Sequence, residues 1–131
     1  MGQPAAKQGD HIQATDTHIV IVPGPTPTPQ PLPHPFNGII DGNLSPNVRI
    51  SKLPAATVDS TADNTLAHIP TPPGASFQKP PTNTGTIKAG SRSVRINGKA
   101  AARNGDAALT CNDPADALVG TVVASGKVTI G

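Results

Sequence analysis

Pro4-Ala5-Ala6-Lys7-Gln8-Gly9-Asp10 returns as Pro54-Ala55-Ala56-Thr57-Val58-Asp59-Ser60 and again as Ala100-Ala101-Ala102-Arg103-Asn104-Gly105-Asp106. Recurrence of one phrase within a single chain marks a repeat architecture and outranks local propensity. The second and third copies follow the same alternating phrase, Val48-Arg49-Ile50 and Val94-Arg95-Ile96, with the two-residue period of a half-buried strand. Further upstream stand Gly38-Ile39-Ile40-Asp41-Gly42 and Gly85-Thr86-Ile87-Lys88-Ala89-Gly90. A third pair, Gly120-Thr121-Val122-Val123-Ala124-Ser125-Gly126 and Val128-Thr129-Ile130, ends the sequence. Each pair reads as a β-hairpin, two β-branched runs around a glycine-bearing turn. Three of them predict an all-β body with pseudo-threefold symmetry and few or no helices. The second copy lacks the Gly-Asp of the other two, which predicts that its turn is lost. The strands carrying Thr86 and Thr129 are candidates for a partner-facing edge.

Composition narrows the alternatives. With 131 residues the chain is expected to be one domain, 1–131, and its ending directly after the last strand predicts no fused effector domain. Leu, Ile, Val and Phe together number 27, close to the roughly 20% level below which chains stay disordered. So thin a core calls for a metal, an oligomeric partner or a tightly hydrogen-bonded β framework. The lone Cys111 excludes an intrachain disulfide. The ten basic residues are scattered, and there is no Trp or Tyr, which argues against a nucleic-acid partner. The N-terminus has no charged-then-apolar leader, so synthesis in the cytoplasm without a signal peptide is expected. The Pro-rich stretch at 23–35 removes amide donors and favours an extended, polyproline-like course, either as a floppy linker or as a rigid strap.

The repeat register also selects metal ligands. His18 lies 14 residues after Pro4, and His68 lies 14 residues after Pro54. Cys111 follows Ala100 by 11 residues, at the comparable corner, and His34 is stiffened between Pro33 and Pro35. Three imidazoles and one thiolate suit a tetrahedral, structural zinc site. His11 has no counterpart in the later copies and is expected to be an exposed, dispensable residue.

These phrases resemble the PAAR-repeat family, named for Pro-Ala-Ala-Arg. The likeness spans nearly the whole chain and extends to the PAAR-like variants with a Pro-rich insertion before His34-Pro35-Phe36-Asn37-Gly38. Lys7 and Ala100 depart from the pattern. The resemblance implies a small conical fold with one Zn2+ per chain near its apex, held by His18, His34, His68 and Cys111. It implies a structural role at the tip of a contractile injection system, type VI secretion-like, phage-tail-like or an extracellular particle. There one copy would cap a trimeric spike that carries effectors or toxins and would touch the target membrane in passing. The carboxylates Asp10, Asp16 and Asp113 beside His and Cys leave a small zinc-dependent hydrolase or effector-like protein as the alternative, but the eight acidic residues are all aspartate and no HExxH or GxSxG occurs.

Overall fold

A computed structural model describes residues 2–131. In chain order the strands are β1 (Gln3–Pro4), β2 (His11–Val22), β3 (Thr28–Gly42), β4 (Arg49–Ile50), β5 (Leu53–Pro54), β6 (Thr61–Asn64) and β7 (Ser76–Phe77). They continue with β8 (Thr84–Ile87), β9 (Arg95–Ile96), β10 (Lys99–Ala100), β11 (Ala107–Thr110), β12 (Ala117–Val123) and β13 (Thr129–Ile130). Among the described residues there is no helix. Six strands pair antiparallel in the order β2-β3-β6-β8-β11-β12 and close when β12 pairs back onto β2, with β7 added to the far end of β2. Closure removes the sheet edges that a thin-cored β protein can least tolerate.

The alanine phrases form a ring at one end of this barrel. Ala6 N–H donates to the Ala102 carbonyl (3.0 Å), Ala56 N–H to Ala6 (3.0 Å), and Ala102 N–H to Ala56 (3.1 Å). All three alanines are fully buried. A larger side chain would push the three backbones apart, so Ala-Ala is required by close approach rather than by chemistry. The turn after each ring residue is also the same three times. Lys7 and Arg103 N–H groups donate to the carboxylates of Asp10 and Asp106, whose side chains also pair with the Lys7 ammonium and the Arg103 guanidinium. Contrary to the sequence expectation, the second copy keeps this turn. Ser60 Oγ accepts Thr57 N–H at 3.0 Å, and Asp59 takes the glycine position at φ 79°, beside 92° for Gly9 and 90° for Gly105. Aspartate tolerates the left-handed region well enough to replace glycine there.

The threefold extends along the axis in layers. Below the ring, Ile50, Ile96 and Ile130 pack with Ala5, Ala55 and Ala101 into an apolar cluster. Above it lie Ile40, Ile87 and Val122, then Ile12, Ala62 and Ala108, all fully buried. The next equivalent positions are Gly38, Gly85 and Gly120. A Cβ on Gly38 would lie 2.8 Å from the Phe36 ring, and one on Gly120 2.9 Å from the Thr110 methyl. Gly38 and Gly85 clear a space for Phe36, Gly120 makes room for Thr110, and at Phe36 the symmetry ends.

The expected hairpins pair differently from the sequence reading. The run 38–42 lies in the barrel, while Arg49–Ile50 pairs with Leu53–Pro54 across a two-residue turn. The third copy does likewise at Arg95–Ile96 and Lys99–Ala100, and the first is assembled from β1 and β13, with Gln3 opposite Ile130. Three two-stranded ladders therefore exist, each one segment downstream of where adjacency in sequence suggested. Thr129 belongs to one of them, whereas Thr86 in β8 is flanked by β6 and β11 and lies on no edge.

The Pro-rich stretch is neither linker nor strap. From Thr28 onward it is β3, paired with β2 over twelve successive residues. Thr17 and Ile19 turn their N–H groups away from β3, toward Asn112 Oδ1 (2.6 Å) and Asp113 Oδ2 (2.9 Å). Their register partners Pro33 and Pro31 therefore also face away from β2. The prolines fall at alternate residues, so every missing donor lies on the outer edge, where no ladder bond is lost.

Candidate metal centre

Beyond Phe36 the inward positions carry polar groups. On β2 the buried face runs Ile12, Asp16, His18 and Val20, and on β3 it runs His34, Phe36 and Ile40. Asp16 and His34 are direct cross-strand partners. His68 enters from the loop after β6, and its N–H is fixed by Asn83 Oδ1 at 2.9 Å. Cys111 follows β11, and the next two residues clamp onto β2: Asn112 accepts Thr17 N–H, while Asp113 accepts Ile19 N–H and donates its own N–H to the Thr17 carbonyl. That clamp sets Cys111 against His18, with Sγ 3.6 Å from Nε2.

Asp16, His18, His68 and Cys111 offer ligand atoms that all lie within 4.8 Å of one another, and all four residues are buried. This group could bind a metal ion. His34 falls outside that compact set, yet its ring centroid lies 5.5 Å from those of both His18 and His68, which are themselves 4.9 Å apart. Three imidazoles around one tetrahedral ion with bonds of about 2.0 Å take centroid separations of roughly 5 Å. His34 Nδ1 donates to the Leu32 carbonyl at 3.0 Å, which leaves the Nε2 lone pair free, and Nε2 is buried with no partner. An imidazole anchored through one nitrogen with the other orphaned among polar neighbours is the arrangement of a metal ligand. His18 carries the matching feature, since its otherwise unpartnered Nδ1 stands 3.6 Å from Asp113 Oδ2.

The electrostatics point the same way. Burial, and next the Asp16 carboxylate, push the Cys111 thiol up to about 11. Burial and the neighbouring His68 hold His18 below the usual histidine range. A cation at the centre would reverse the pressure on Cys111 by favouring the thiolate, and would add to the pressure on His18, where the neutral imidazole with its free lone pair is already favoured. The chain's two phenylalanines both pack here: Phe77 lies 5.7 Å from His18 and 5.3 Å from His34, and Phe36 lies 6.2 Å from His68. A cavity of about 380 Å³ bounded by Pro33, Pro35, Leu66 and Ile69 reaches His34 and His68 from the surface, which gives an ion a way in.

The structure brings His18, His68 and Cys111 together with Asp16, which had not been selected as a ligand, and places the His34 ring beside them. The signal for Asp16 was its two-residue step to His18, which places both side chains on one strand face. His11, at an odd position, points to the opposite face and hydrogen-bonds Asn37 Oδ1 at 3.0 Å. Comparison of the chain with family models and with curated proteins finds no match.

Proposed function

We propose that this chain is a PAAR-type spike tip, one copy of which caps the trimeric spike of a contractile injection system and sharpens it for piercing a membrane. The observation that carries this reading is the ring of three main-chain hydrogen bonds among Ala6, Ala56 and Ala102. It gives a single chain an internal threefold axis, which can meet the true axis of a homotrimer without further copies. Three ladders and three buried isoleucines repeat around the same axis. The outer strands of those ladders offer main-chain groups for edge pairing with a threefold partner.

The metal in this reading is one structural Zn2+, held by His18, His34, His68 and Cys111. When bound it supplies a cross-link among β2, β3 and the segments following β6 and β11. The chain's residues do the rest. Asp113 orients His18, Leu32 orients His34, and Phe36 and Phe77 exclude water, so the end remote from the spike resists shear although its apolar core is thin. The role is mechanical rather than enzymatic. In this reading the chain leaves on the particle and travels with whatever effectors or toxins the spike carries.

Native mass spectrometry of the chain co-expressed with the spike protein encoded beside it tests the reading. The expected mass is one chain per spike trimer. Three chains per trimer, or no association, overturns it. Thr129→Glu, on β13, is expected to impair capping while leaving metal content unchanged.

A further inference from the structure

The Asp16 carboxylate is fully buried, and the two oxygens have different partners. Oδ1 accepts the Thr110 hydroxyl at 2.5 Å and the Asn112 amide at 3.4 Å. Neither donor belongs to the candidate ligand set. Oδ2 faces only His68 Nε2 at 2.9 Å and Cys111 Sγ at 3.4 Å. Both of these are donor atoms for the metal, and each must give up its proton to bind one. The Cys111 proton leaves to solvent, and the neutral His68 imidazole carries its proton on Nδ1 instead. A metal that engages these two atoms therefore removes every hydrogen bond that Oδ2 accepts.

A buried carboxylate oxygen left without a partner is among the costliest groups a core can hold. No Lys or Arg is among the partners of Asp16, so the one cation within reach is the metal itself. The separations fit direct bonding. Two donors on one ion with bonds of about 2.0–2.3 Å stand roughly 2.9–3.6 Å apart for angles between a right angle and the tetrahedral value. The 2.9 and 3.4 Å separations of Oδ2 fall in that interval, as does the 3.6 Å between Cys111 and His18.

We infer that Asp16 is itself a ligand through Oδ2, so that the centre is a five-donor set in which a carboxylate joins three imidazoles and a thiolate. Thr110 and Asn112 are then positioning residues that hold Oδ1 and aim Oδ2. The inference rests on the metal-binding half of the proposal above and is independent of the spike.

Cobalt(II), substituted for zinc in the full chain, is the probe. Wild type is expected to show the weak visible ligand-field bands of a five-coordinate ion. Asp16→Asn and Asp16→Ala are expected to show stronger, shifted bands characteristic of four coordination. Competition with a chelator should show affinity falling by more than the roughly 10–100-fold typical of losing an outer hydrogen-bond partner. Tetrahedral-type bands in wild type, or variant spectra superimposable on it, would overturn the assignment, and the wild-type measurement decides the matter if both variants misfold. Cys111→Ser serves as the control, expected to lose the thiolate charge-transfer band. A chain that takes up no cobalt or zinc at all refutes the metal centre as a whole, which separates that failure from one confined to Asp16.

Discussion

The alanine ring and the histidine cluster lie within one barrel and are held by opposite means. At the ring, main-chain groups bond main-chain groups, and the side chains are required only to be small. Three copies can therefore drift in sequence, as Thr57 and Ser60 have beside Lys7 and Asp10, and still superpose. At the cluster a regular β2–β3 ladder meets loop segments, and single side chains carry the structure. His18 comes from a strand, His68 from a loop, Cys111 from a clamp, and none has two equivalents. Order written into the backbone tolerates substitution, whereas order written into donor atoms does not.

Chelation is expected to break the comparison most sharply. Structural zinc contributes about 10 kcal/mol or more to small metal-dependent folds at neutral pH. Calorimetry with and without a strong chelator should show a larger fall in unfolding temperature than any single substitution produces. Amide exchange should localise the loosening to β2, β3 and the segments after β6 and β11, with the ring amides of Ala6, Ala56 and Ala102 opening last.

Gly38→Val attacks the junction between the two regions. Its side chain meets Phe36 and Ala62 at 2.8 and 3.0 Å, and overpacking of this kind costs about 1–3 kcal/mol. Denaturant titration should read that loss, with metal affinity falling in parallel because Phe36 lies under His68.

In metal-free protein the cluster alone should respond to pH. The His18 pKa lies below its unfolded value, so its contribution to stability is complete above roughly pH 6.5 and disappears as pH falls through the lowered pKa. Cys111 has the opposite sign: its contribution is present below its ordinary value and lost as pH rises through about 11. Denaturation midpoints across pH should show both limbs. Cys111→Ala should remove the alkaline one.

The smallest expected effect sharpens the symmetry instead of breaking it. The β4–β5 turn uses Ser51 and Lys52 at φ 50° and 72°, where the β9–β10 turn uses Asn97 and Gly98. Ser51→Asn with Lys52→Gly should stabilise the fold by about 1 kcal/mol, since Asn-Gly is preferred at these angles. Thermal melts of the metal-loaded protein would detect it, without change in metal content.

What was legible in sequence follows the same division. The repeat phrases announced the ring, and the equal offsets of His18 and His68 announced that they converge. Pairing was misread because adjacency in sequence suggested hairpins, while closure of the barrel joins each run to strands from other copies. The prolines of β3 signalled missing donors. Which edge those donors would occupy depends on the partner strand, and only the alternation of Pro29, Pro31, Pro33 and Pro35 hinted at it. Asp16 entered only among the carboxylates of a hydrolase and not as a ligand, because a single aspartate has no repeat to raise it above background.

The ladder between β1 and β13 has a topological consequence. Gly131 and Gly2 occupy the positions that Ser51 and Lys52, or Asn97 and Gly98, occupy in the other two turns. The backbone from Gly2 to Gly131 thus leaves one side of a third equivalent corner and returns to its other side. Joining Gly131 to Gly2 would complete a third two-residue turn, and cutting after Ser51 or Asn97 would create new ends at an equivalent corner. A circular permutant of either kind should fold around the same ring and bring Asp16, His18, His34, His68 and Cys111 together.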